Sequence, residues 1–185
     1  MPTELSGSKL VVGGTQHEVR SSGVEPTVPP FPYSVETFAV EGELGEVLDA
    51  AKIIIEPNGF TPPQKLIRKR KGSLKQDYLL DFPLAGSGTL LLCRWDEAKQ
   101  KWEVEYHDFD DQNPEQKDLS IVYSAGTYLC WKAGARGLTL IEACSPPFQL
   151  GDAARVDLDD KDTPSEYKEA FLKFTQQNSD IGATR

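Results

Sequence analysis

The chain reads as an all-β protein built around an antiparallel barrel or sandwich, and three observations point there. From Ile53 to Phe148 short β-favouring runs recur at roughly ten-residue spacing. Glu56-Pro57-Asn58-Gly59, Gly86-Ser87-Gly88, Ser124-Ala125-Gly126 and Ser145-Pro146-Pro147 punctuate them, each rich in residues that supply turn geometry. The one strong helix signature lies after Asp152, beyond the strand-rich stretch. A small closed barrel of this kind encloses a pocket, but the fold does not dictate what the pocket does.

Composition sets the bounds. The 185 residues are 38% hydrophobic, enough to bury one core. A formal net charge of −9 excludes phosphate-backbone binding as the main activity, because nucleic acid is approached through clustered Lys and Arg. No run approaches the ~18 apolar residues that a membrane span requires. Met1-Pro2-Thr3-Glu4 starts no basic and then apolar signal. The expectation is a cytoplasmic protein that binds neither nucleic acid nor membrane. Cys93, Cys130 and Cys144 lie in or beside apolar runs. Their odd number and wide spacing suit buried thiols rather than a disulfide framework or a zinc site.

Residues 1–34 carry Gly13-Gly14, Ser21-Ser22-Gly23 and Pro26, Pro29, Pro30 and Pro32, which predict an extended arm. Leu10-Val11-Val12 within it could pair along a sheet edge. Residues 35–152 form the barrel. Its first clear strand ends in Ile53-Ile54-Ile55 before the Pro57-Asn58-Gly59 turn. Further strands are predicted at Lys65 to Arg70, Tyr78 to Leu84, Thr89 to Trp95, Trp102 to Phe109, Leu119 to Tyr123, Tyr128 to Lys132 and Leu138 to Cys144. Asp96 to Gln100 is a polar hairpin loop, with Trp95 and Trp102 placed to pair across it. Residues 153–185 hold an acidic linker, a short helix and a polar tail. Thr163 is the expected N-cap, with Pro164 at the first helical position and Glu166 completing a capping box. Tyr167, Ala170, Phe171 and Phe174 then share one face of the helix.

This order of strands and turns resembles the cupin superfamily. Ile53 to Pro63 is similar to the strand and turn leading into the first cupin motif, and Tyr78 to Leu90, with its Gly-Ser-Gly turn, to the segment that closes it. Ile121 to Tyr128 resembles the second motif, and Leu138 to Phe148 the last barrel strand. The likeness covers about half of the chain and implies a cupin-like barrel of the jelly-roll type; a lipocalin-like or other antiparallel sandwich is the alternative.

Most cupins hold a divalent metal through a His-x-His pair and a Glu in the first motif and a His in the second. By the resemblance the pair falls on Gln64 and Leu66, and the second-motif histidine on Leu129. The Glu falls near Arg70 or Lys71, with Asp77 or Asp81 as alternatives. Leucine cannot ligate and cations repel a metal. The chain is therefore expected to be a degenerate cupin with no metal site and no cofactor.

What remains as chemistry is modest. Glu103, Glu105 and His107 alternate along one strand and share a side, so His107 with Glu105 could move a proton; a solvated row behind an aromatic core face is the plainer reading. Tyr78 and Tyr123 are further acid/base candidates. Arg68 and Arg70, on one strand face with Gln64, would suit a carboxylate or phosphate in a barrel mouth together with Tyr78; a lysine-rich edge strand that discourages aggregation explains the same run. Asp108, Asp110 and Asp111 could hold a cation weakly or simply face water.

The expected function is binding of a small molecule, sugar-like or anionic, without catalysis. One alternative is a metal-independent sugar isomerase, epimerase or lyase. The other is a structural scaffold for dimerisation, and a homodimer is the expected assembly.

Overall fold

The computed structural model describes residues 4–6, 9–12, 15–25, 31–40, 49–67, 78–116, 119–123, 125–145 and 152–176. In chain order the strands are β1 (Glu4–Ser6), β2 (Lys9–Val12), β3 (Thr15–Glu25), β4 (Tyr33–Val40), β5 (Asp49–Ile55), β6 (Gln64–Leu66), β7 (Tyr78–Asp96), β8 (Lys101–Asp110), β9 (Ile121–Tyr123), β10 (Tyr128–Ser145) and β11 (Ala153–Arg155). One helix, α1 (Ser165–Gln176), follows them. The architecture is a curled antiparallel sheet with one short helix packed against it.

Two long strands organise it. The sequence predicts separate strands on either side of Gly86-Ser87-Gly88 and of the segment 133–137, yet each pair is one continuous strand, β7 and β10. The glycines make bends where turns were expected. Gly86 has φ +88° and Gly137 φ +73°, and a Cβ on Gly86 would stand 2.1 Å from the Gly137 carbonyl oxygen. Only glycine allows the two strands to bend together at this close approach. The register between them is correspondingly broken between Ala133 and Leu138.

The bend divides the sheet into two facing layers. In the first, β3, β4 and β5 lead to the Leu138 to Ser145 half of β10, which pairs with the Tyr78 to Gly86 half of β7 and, beyond it, β9. In the second, β11 pairs with β6 and β6 with the start of β10, which pairs with the Gly88 to Cys93 part of β7 and, beyond it, β8. Side chains alternate across each strand. Ile53, Ile55, Leu138 and Leu140 from the first layer therefore meet Leu90, Leu92, Leu129 and Trp131 from the second in one core.

On the outer face of the second layer, Leu91, Cys93, Tyr128 and Cys130 pack under α1. A helix of this length is marginal in isolation, so docking of Tyr167, Ala170, Phe171 and Phe174 is what keeps it formed. Tyr167 donates its hydroxyl to the Leu129 carbonyl at 3.0 Å, and Lys132 Nζ donates to the Phe174 carbonyl at 2.6 Å. The expected helix start holds, but the Thr163 hydroxyl donates to the Asp157 carbonyl, while Glu166 receives the hydroxyl of Ser165.

Other expectations fall into place or shift. The 96–100 hairpin forms, with Asp96 Oδ1 accepting the amides of Ala98 and Lys99 and Trp95 paired edge-to-face with Trp102. The region expected as an extended arm carries β1, β2 and β3, which pair antiparallel in sequence order and continue onto β4. Leu10 to Val12 thus pairs within its own chain. Among the described residues no helix is long and apolar enough to cross a membrane.

Candidate functional site

The two layers do not meet everywhere. At one end of the barrel they leave a cavity of about 310 Å³, near the lower end of the ~300–1,000 Å³ typical of small-ligand sites. Its first wall is graded by register. Tyr33 and Ile55, then Val35, Ile53 and Leu140, form successive apolar rows. The next row runs Thr37, Ala51, Glu142 and Asp81 across β4, β5, β10 and β7, and beyond it Asp49 lies opposite Cys144. The small side chain of Ala51 sits between the larger ones of that polar row, which leaves room there. The opposite wall is Gln64, Leu66, Leu129 and Trp131.

Trp131 joins the walls. Its indole Nε1 donates to Oδ2 of Asp81 at 2.5 Å, and both side chains are almost wholly buried. A buried carboxylate is tolerated only with such partners. Thr61 fixes the tryptophan from behind, donating its backbone amide to the Trp131 carbonyl at 2.8 Å and accepting the Trp131 amide on Oγ1 at 3.0 Å. Trp131 is thus a rigid piece of wall.

Of the residues singled out in the sequence, Gln64, Leu66 and Leu129 line this cavity, and Gln64 pairs directly with Leu129. The three positions that the cupin resemblance assigns to metal-binding histidines are therefore cavity positions; of those considered for the glutamate, Arg70, Lys71 and Asp77 lie outside the described residues and Asp81 is buried beside Trp131. Arg68 and Arg70 lie outside the described residues. The backbone of Tyr78 pairs with Ser145 and that of Tyr123 with Leu79, at the same end of the first layer.

Glu105 and His107 do not join the cavity. They share the inward face of the second layer with Leu92 and Leu90, but on β8, with β10 and β7 lying between it and β6. Glu105, Leu92, Leu129 and Gln64 stand in one row, so Glu105 is about 14 Å from Gln64 at ~4.8 Å per strand. Buried Leu92 and Leu129 fill the interval. Glu105 is instead held by Arg94, whose Nη2 reaches both carboxylate oxygens at 2.6 and 2.7 Å; His107 Nε2 stands 3.3 Å from Glu105. Burial works to raise the Glu105 carboxyl, but Arg94 and then His107 outweigh it and hold it below the usual carboxylate range.

The acidic run is also accounted for. Asp110 and Asp111 pair with Arg136 at 2.5 and 2.6 Å, and Asp108 accepts the hydroxyl of Thr89 at 2.6 Å. These groups brace the bend: Asp111 also accepts the Gly86 amide.

The cavity was only partly legible beforehand. Asp81 is singled out in the sequence only as an alternative for the cupin glutamate, and Asp49, Glu142 and Trp131 not at all. The signal was an acid embedded in an apolar β run, as in Leu79-Leu80-Asp81-Phe82 and Leu140-Ile141-Glu142-Ala143. Such a residue must face either solvent or a polar interior.

A cupin metal centre does not fit this wall. Gln64 offers one weak amide oxygen, and Leu66 and Leu129 present hydrocarbon. Among the described residues no three His, Cys, Asp or Glu side chains group as a metal site.

Neither a protein-family model nor a curated protein sequence matches the chain. Solved structures do. Oxalate decarboxylase from Bacillus subtilis superposes with TM-score 0.52 at 12% identity, over 88% of this chain and 38% of that one. The capsular polysaccharide assembling protein CapF from Staphylococcus aureus gives 0.52 at 10% identity, over 74% and 33%. KdgF from Halomonas sp. gives 0.43 at 14% identity, over 67% and 86%. All three are cupin-fold proteins. The chain spans little more than a third of the oxalate decarboxylase and a third of CapF. The likeness is one of fold.

Proposed function

We propose that this protein binds a small molecule in the cavity between its two β layers, independently of metal and without catalysing a reaction on it. The observation that carries this reading is the cavity wall at Gln64, Leu66 and Leu129. The fold keeps the cupin pocket while two of these three positions offer no donor atom, so the space is retained and the metal chemistry is not. The acid/base pair that would favour an enzyme, Glu105 with His107, is walled off from the cavity by Leu92 and Leu129 and engaged by Arg94.

Elemental analysis of purified protein and thermal melts with and without a chelator test the metal-independent part. Substoichiometric Fe, Mn, Ni and Zn and an unchanged melting temperature are expected. One tightly held metal per chain would overturn it. For the non-catalytic part, a ligand found by thermal shift should be recovered chemically unchanged after prolonged incubation.

A further inference from the structure

We infer that the ligand is a compact, neutral, largely apolar molecule of two-ring size with a single hydrogen-bonding substituent, and that Gln64 reads that substituent. This deepens the binding reading above and rests on it, and it sets aside the sugar-like or anionic ligand expected from the sequence. The argument turns on what the cavity wall has left to offer. Thr37, Asp49 and Glu142, the polar groups of the first wall, each have an interaction partner in the protein already. Their hydrogen bonds and charge are taken up by the fold. What faces the space besides them is hydrocarbon and ring, chiefly Val35, Ile53, Leu66, Leu129 and Trp131.

Gln64 differs from those polar groups. It lines the cavity, half-buried, in register between Leu129 and Arg155, and its side-chain amide hydrogen-bonds to no other described residue. An amide offers both a donor and an acceptor, which suits one hydroxyl or one amide of a ligand. A sugar carries a hydroxyl on nearly every carbon, and each one buried without a partner loses its hydration uncompensated. A charged ligand fares worse. It would leave water for a partly enclosed space where the charged side chains on the wall, Asp49 and Glu142, are already engaged.

Volume sets the size. An apolar cavity of ~150 Å³ takes up benzene, so the 310 Å³ here match about twice that bulk, a fused two-ring skeleton. Burying such a skeleton against Val35, Ile53 and Leu129 supplies the affinity, and Gln64 fixes the orientation. Ala51 is the small member of the row between Thr37 and Glu142, so Ala51→Leu extends hydrocarbon into the space and removes no polar group.

The test uses the whole chain and probes that share one skeleton, 2-naphthol, naphthalene and 2-naphthoate, with glucose as the polyol. Thermal shift and calorimetry at neutral pH are run on wild type, Ala51→Leu and Gln64→Leu. The tightest binding is expected for 2-naphthol, with naphthalene about three- to tenfold weaker for want of one hydrogen bond, and with no binding of 2-naphthoate or glucose. Gln64→Leu should bring 2-naphthol down to the level of naphthalene and leave naphthalene unweakened, a split that a misfolded variant would not show. Ala51→Leu should abolish the binding of both. Preference for 2-naphthoate or glucose over 2-naphthol, lost in Ala51→Leu, would overturn the inference and leave the cavity reading standing. Binding of 2-naphthol that is the same in wild type and Ala51→Leu would overturn both, because it would lie outside the cavity. Equal affinity of wild type and Gln64→Leu for 2-naphthol would overturn the assignment of Gln64 and the inference with it. No response to any probe overturns the inference.

Discussion

The outer and inner faces of the second layer begin from the same alternating pattern and end differently. Outward, Leu91, Cys93, Tyr128 and Cys130 meet the apolar face of α1, and the seam closes. Rings follow one another along it: Trp102 on Tyr128 at 5.4 Å, Tyr128 on Tyr167 at 5.2 Å, Tyr167 on Phe171 at 6.1 Å. Inward, Leu90, Leu92, Leu129 and Trp131 meet a second sheet, and the seam closes only in part. A helix can settle onto a sheet until its side chains touch, whereas two sheets tied together at the β7 and β10 bends are held at a spacing that side chains must fill. Where the facing residues are Ala51 and Thr37, they do not fill it.

The two thiols on the outer face show how dry the helix seam is. Burial, reinforced by Glu166, pushes Cys93 up to about 12, and burial does the same to Cys130. Neither forms a useful amount of thiolate near neutral pH. Cys144, by contrast, lies on the cavity wall.

The largest expected effect breaks the closed seam. Tyr167 is fully buried, touches two other rings and gives its hydroxyl to Leu129. Tyr167→Ala should cost about 3–5 kcal/mol in a denaturant titration, through the lost ring and an unsatisfied carbonyl. A loss below about 1 kcal/mol would mean that the helix contributes little to the fold and that the contrast between the faces is illusory.

The next effect tests how the cavity keeps its shape. Trp131→Phe preserves most of the apolar bulk and removes the donor to Asp81. The expected loss is about 1–3 kcal/mol, the cost of a buried carboxylate oxygen deprived of its hydrogen bond. If Trp131→Phe and wild type share one denaturation midpoint, the hydrogen bond between the walls is not what holds them in place.

These residues also mark what could be read from the sequence. Helix α1 was legible to its buried face, because a 3.6-residue period with a start signal is a local pattern. The Trp95–Trp102 hairpin was legible for the same reason. The continuity of β7 and β10 was not. A glycine cluster permits a turn or a bend equally, and only the coincidence of Gly86 with Gly137, far apart in sequence, decides for the bend. The cavity was legible at Gln64, Leu66 and Leu129, where the cupin resemblance supplied the positions. Its acidic row was not, since Thr37, Ala51, Glu142 and Asp81 come from four strands that only long-range register aligns.

A matched pair of substitutions sharpens the comparison directly. Ala170 lies in the closed seam and Ala51 on the open wall. Ala170→Leu should cost about 1–3 kcal/mol by overpacking. Ala51→Leu should be neutral or should stabilise by about 0.5–2 kcal/mol, as cavity-filling changes do. Equal losses at the two sites, read from chemical denaturation in the absence of ligand, would mean that the inner face is as well filled as the outer one.

The smallest effect belongs to the edge of the inner face, where Arg94 holds Glu105 on β8. Both side chains are substantially exposed, so solvent screens the pair and its worth is about 0–1 kcal/mol. The sign of its pH dependence is nevertheless fixed. The Glu105 carboxyl titrates below its ordinary value of 4.5 in the folded chain. Its contribution is therefore fully present above that value and is lost as the pH falls through the lower, folded-state value. The stability difference between wild type and Arg94→Ala should hold steady at and above the ordinary carboxylate range and shrink as the pH falls below the ordinary value of 4.5. A difference that persists unchanged in acid would show that Arg94 acts through the packing of its aliphatic stem and not through its charge.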